Sequence, residues 1–211
     1  MPVPRILLVS QAKAPNMPFI LGVDEETVRL RKLIEGHGLR VQHLAGKDAT
    51  VGNAIKEMSS GQWVHFACHA TQNPLRPLKS SFHLLDGQLD LFEIIKLKIP
   101  DGDLAFLSAC QTSRTGDKRL SDEAVHLAAG MLTAGYRSVV STMWPIGDSN
   151  GADVAESFYS HLLNGAEDGK PWPDGTGTAH AIHHATQRLR ERFGDTDRSF
   201  LIWVPYVHFG V

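Results

Sequence analysis

The chain has only two cysteines in 211 residues, Cys68 and Cys110. So few excludes a disulfide framework and points to free thiols in a reducing compartment. Charge of one sign is also lacking. Twenty-one basic against 23 acidic side chains leave a net charge of −2, without the basic footprint of a dedicated nucleic-acid binder. Long apolar runs are missing: stretches such as 6–9 and 104–107 fall far short of the ~20 residues that cross a bilayer. The apolar stretch after Arg5 is too short for the core of a secretory signal. A cytoplasmic protein with no membrane span and no nucleic-acid partner is expected. Gly (19) and Pro (11) are not enriched, which rules out a collagenous or largely disordered chain. What remains is an ordinary composition, 42% hydrophobic and 21% charged. A chain of this length buries roughly 70% of its unfolded surface without staples.

Apolar runs alternate with amphipathic stretches, and no internal repeat interrupts them. Strands are predicted at 6–9, 39–44, 63–68, 104–107 and 138–140, with a last one at 200–204. Helical patterns begin at Asp24, with Val28, Leu30, Leu33 and Ile34 as the apolar stripe, and recur at 50–58, 122–134, 152–163 and 179–193. The segment 165–178 reads as an exposed loop. Residues 81–91 around Asp86-Gly87 form a small β-hairpin inserted between the third and fourth strands. Apolar strands alternating with helices imply a single α/β domain over 1–211, with a mostly parallel sheet covered on both faces.

In such a sheet, ligands bind at the carboxyl ends of the strands. The third strand runs into His65-Phe66-Ala67-Cys68-His69-Ala70 and the fourth into Leu107-Ser108-Ala109-Cys110-Gln111-Thr112. If the two strands are neighbours, His69 and Cys110 stand side by side, a thiol with a base in reach. An adjacent imidazole lowers the thiol pKa and later serves as proton donor. The competing reading of Cys110 is a small buried residue. For Cys68 that reading is preferred, because strand alternation turns it away from His69. His180 and His184 have helical i, i+4 spacing for a metal, but no third ligand is evident. No phosphate-binding glycine loop is present, and no cofactor or metal is expected.

Val64-His65-Phe66-Ala67-Cys68-His69-Ala70 and Phe106-Leu107-Ser108-Ala109-Cys110-Gln111-Thr112 resemble the two catalytic blocks of the CHAT domain family. Residues 120–128, 134–145 and 203–210 resemble its further blocks in the family's order, with Gly22-Val23-Asp24-Glu25-Glu26 near the start. The resemblance covers nearly the whole chain. It implies the caspase-like fold, a mostly parallel sheet with helices on both faces, and a cysteine endopeptidase related to caspases and separases. His69 matches the catalytic histidine and Cys110 the nucleophile, while His65 matches a non-catalytic strand position. The backbone N–H groups of Ala70 and Cys110 match the oxyanion hole. Ala70 stands where the family usually has glycine; alanine keeps the donor provided its φ is negative, and losing one such donor costs on the order of 10²–10³ in rate.

The same resemblance puts the exit of the fifth strand beside the substrate, with Thr142, Met143, Trp144 and Asp148 as contacts. An acid in the primary pocket would favour Lys or Arg before the scissile bond. Asp148, Asp86 and Asp122 are the candidates, with helix capping as the competing role of Asp148 and Asp122. The loop 113–120 matches a segment that orders on activation in related peptidases. The expected partners are a protein or peptide substrate and a regulatory sensor or helical-repeat module. The chain carries no such module, so it reads as a fragment of a longer protein or a stand-alone effector. Two alternatives share the same residues: a catalytically silent interaction module, and acyl transfer without proteolysis.

Overall fold

β1 (Arg5–Gln11) is buried at every position except Arg5, as a strand covered on both faces requires. A computed structural model shows it and describes residues 5–73, 75–108, 110–111, 123–144, 148–165 and 174–211. β1 pairs in parallel with β2 (Arg40–Ala45) on one side and β3 (Trp63–Thr71) on the other. β3 pairs with β6 (Leu104–Leu107), and β6 with β8 (Ser138–Thr142), again in parallel. β9 (Tyr206–Gly210) closes the sheet antiparallel to β8. Among the described residues the order is β2-β1-β3-β6-β8-β9.

Strand alternation divides the core into two layers. α1 (Val23–Gly36), α5 (Asp148–Asn164) and α6 (Thr178–Phe193) cover one face. There Leu30, Ile34, Phe158 and Ala181 pack on Ile6, Leu8 and Phe106. α2 (Val51–Met58), α3 (Leu91–Lys96) and α4 (Glu123–Ala134) cover the other. There Met58, Ile94 and Met131 pack on Leu7, Val9 and Phe66. Each fully buried Leu, Ile or Phe contributes about 1.5–3 kcal/mol, and the sheet that carries the site is packed by such side chains on both faces.

Four departures from the sequence reading have physical causes. β3 runs on to Thr71 rather than stopping at Cys68, because two further strands pair with its end. These are β4 (Ser81–His83), antiparallel, and β7 (Cys110–Gln111), parallel. The predicted hairpin is present as β4 and β5 (Gln88–Asp90), but it leads directly into the short helix α3, where the sequence reading has no helix. The predicted strand at 200–204 is instead α7 (Asp197–Trp203). Thr196 caps it: its hydroxyl accepts the Ser199 amide (3.2 Å), and the Ser199 hydroxyl accepts the Thr196 amide (2.8 Å). Such a reciprocal box selects the helix for an apolar run that periodicity alone leaves ambiguous. The last strand starts after Pro205. Finally, Val28 is exposed, and the inward stripe of α1 is Val23, Glu26, Thr27, Leu30 and Ile34.

Candidate active site

β3 carries the site. Its ladder with β7 puts His69 in register with Cys110 and Ala70 with Gln111. The two residues come together because β3 and β6 are neighbours and because both segments continue past the main sheet to pair again. His69 is 3% exposed. Its Nε2 lies 2.8 Å from the carbonyl oxygen of Pro18. A carbonyl only accepts, so Nε2 carries a proton and donates it. In the neutral ring Nδ1 is then the free lone pair, and it is buried without a hydrogen-bond partner among the described residues. One nitrogen is anchored and the other is left to act as a base.

Pro18 belongs to the loop between β1 and α1. The Ile20 amide bonds the Ala12 carbonyl (2.9 Å), and Ile20 packs on Val23 and Ala67. The loop is thereby fastened to the same face of β3 from which His69 projects. Ala70, the departure from glycine, is extended backbone with negative φ in the β3–β4 ladder. Alanine therefore adds no backbone strain at that position.

A second polar group lies deeper on the same face of β3. His65 is fully buried, with Nε2 2.9 Å from Glu26 Oε1 and Nδ1 3.4 Å from the Tyr159 hydroxyl. Its ring stacks on Phe106, centroids 5.0 Å apart. Burial, reinforced by the Glu26 carboxylate, pushes the Tyr159 phenol far above its ordinary range. The phenol therefore keeps its proton and donates to Nδ1, while Nε2–H donates to Glu26. The helix α5 leaves room for that carboxylate with a glycine: a Cβ on Gly151 would stand 3.3 Å from Glu26 Oε2 and 3.6 Å from Ser108 Oγ.

The exit from β8 is less uniform than the sequence suggested. Thr142 is buried in register with Tyr206. Met143 is exposed, and its amide donates to the Pro205 carbonyl (2.8 Å). Trp144 is half-buried, its indole N–H donating to the Leu201 carbonyl of α7 (3.2 Å). Asp148 is the first residue of α5, where an acid suits the helix dipole. Asp86 has a structural task, since its carboxylate accepts the Val51 amide at the start of α2 (2.8 Å). The loop 113–120, Asp122 and residues 145–147 lie outside the described residues.

Cys68 is fully buried in the opposite core layer with Val64, Phe66 and Ala70. His184 stacks on His161 at 4.4 Å. Among the described residues no group of three His, Cys, Asp or Glu side chains converges as a metal site. None of the described helices is long and apolar enough to cross a membrane. Two contributors escaped the sequence reading. Pro18 acts through a backbone carbonyl, which leaves no sequence signal. Glu26 did leave one: an acid spaced with Val23, Leu30 and Ile34 on an apolar helix stripe.

The CHAT domain family model matches residues 2–211. Among solved structures, the fold is similar to that of the Arg-specific cysteine proteinase gingipain R (RGPB). The TM-score is 0.63 at 12% identity, over 98% of this chain and 46% of that one. The chain thus spans less than half the length of that structure. No curated protein matches it in sequence.

Proposed function

Since the chain belongs to the CHAT domain family, we propose that it is a cysteine endopeptidase using a His69/Cys110 dyad. The observation that carries this reading is the register of His69 with Cys110, combined with a histidine anchored through Nε2 and open at Nδ1. His69 Nδ1 takes the thiol proton and the Cys110 thiolate attacks the scissile carbonyl carbon. The resulting oxyanion is held by the backbone N–H groups of Ala70 and Cys110. Collapse breaks the C–N bond, and the proton on Nδ1 passes to the leaving amine. Water, deprotonated by the same nitrogen, then cleaves the thioester and releases the acid. Throughout, the Pro18 carbonyl steadies the imidazolium that forms.

The substrate backbone would lie along the exit from β8, with Met143 and Trp144 at its side and the buried Thr142 behind them. Asp148 is the acid proposed for the primary pocket, which would favour Lys or Arg before the cut; the structural neighbour is itself described as Arg specific. Control by an attached sensor or partner chain is proposed to act through the loop 113–120. The test is a peptide library from a digested proteome, with new termini mapped by mass spectrometry and Cys110→Ala in parallel. Cuts that vanish in the variant support the peptidase. Lys or Arg before those cuts supports the acidic pocket, and a consistent apolar residue there overturns it. Absence of cuts favours the silent interaction module.

A further inference from the structure

The loop that holds His69 presents two large apolar side chains outward. Pro18 faces the histidine and Ile20 is turned into the core, whereas Phe19 is 55% and Leu21 68% exposed. A single exposed apolar residue means little. Here two flank one buried anchor, on a segment fixed by the Ile20–Ala12 and Met17–Ala14 backbone bonds, next to the residue that touches the base. Lys13 is the one charged residue between Ala12 and Gly22.

Chemistry fixes which part of a substrate comes here. The nitrogen that receives the proton from His69 belongs to the residue on the carboxyl side of the scissile bond. That residue must lie within hydrogen-bond reach of Nδ1, and Pro18 sits on Nε2, across the width of one imidazole ring. Phe19, bonded to Pro18, is the first side chain beyond the group that holds this histidine.

We propose that Phe19 and Leu21 form an apolar lip that selects a large hydrophobic residue immediately after the scissile bond. The inference rests on the peptidase reading. The lip is held in place before substrate arrives, so little ordering is required when an apolar side chain covers it. Its apolar character disfavours an acidic or basic residue at that position, which would lose hydration without gaining a partner.

The experiment compares paired peptides that differ only after the mapped cut, Leu or Phe against Gly, using the intact chain and Phe19→Ser, Leu21→Ser and the double variant. Thermal unfolding confirms that each variant folds. The expected result is a preference of roughly tenfold or more in kcat/KM for the large residue, collapsing towards unity in the double variant. The residue preferred before the cut should not change. A flat preference in the intact chain, or one that survives both substitutions, overturns the lip. The same peptides are titrated against Cys110→Ala, with and without the two lip substitutions. This binding arm judges the lip even if no Cys110-dependent cut appears, an outcome that would sink the peptidase reading by itself. Tighter binding of the Leu or Phe peptide that depends on Phe19 and Leu21 supports the lip, and equal binding refutes it.

Discussion

The buried pair Glu26–His65 offers the sharpest test of how the fold holds the site. Both side chains are out of water, so each depends on the other for its hydrogen bond. Removing one partner of such a pair leaves an uncompensated polar or charged group and costs about 3–5 kcal/mol. His65→Phe keeps a flat ring against Phe106 but strands the Glu26 carboxylate and leaves the Tyr159 hydroxyl without its acceptor. Glu26→Leu strands the His65 N–H. For a chain of this size each kcal/mol lowers the midpoint by about 2–4 °C, so either single variant should unfold roughly 6–20 °C earlier. Glu26→Leu with His65→Phe replaces the pair by packed apolar groups, a change that is often close to neutral. The double variant should therefore be more stable than either single one, with a coupling of about 3 kcal/mol or more. Urea unfolding of the four proteins measures it. Single losses below about 1 kcal/mol, or losses that simply add, would refute the argument that this pair is desolvated and mutually dependent.

Two further outcomes follow from the same geometry. Burial lowers the pKa of His43, His161 and His208, helped at His43 by Arg31 and at His161 by His184 and His180. Each neutral ring thus adds stability that is fully present above the unfolded value near 6.5 and is lost as pH falls through the lower folded value. The unfolding midpoint should decline from pH 6.5 towards 5, less so in His43→Gln and His161→Gln; a flat midpoint in the intact chain would refute this. Iodoacetamide on the folded chain should modify Cys110 and spare Cys68, which lies in the core, with peptide mapping as the readout. Labelling of Cys68 at native pH would contradict its burial.

The local elements were legible because their causes are local. The apolar run Ile6 to Val9, bounded by Pro4 and a turn-rich segment, reads as a buried strand, and the helix expected from Thr50 is present as α2, with Thr50 capping it through the Asn53 amide. The alternation that separates Cys68 from His69 is a property of any strand. Where pattern was ambiguous, the local reading failed. The run at 200–203 suits strand or helix, and the Thr196–Ser199 box decided it. Periodicity puts Val28 on the inner stripe of α1, yet Val28 is exposed and Glu26 turns inward, where His65 of β3 receives it.

An α/β chain with His69 and Cys110 near the ends of two strands can be read from the residues in order, because hydrophobic period and residue chemistry are written one residue at a time. The pairing of β3 with β6, the register of Cys110 with His69 through β7, and the hold of Pro18 on one imidazole nitrogen arise only on folding. The reason is range. Strand order, register and the approach of a loop carbonyl are set by contacts between segments distant along the chain, as His69–Pro18 illustrates at a separation of 51. No residue carries in its own side chain a record of the partner that the folded chain will supply.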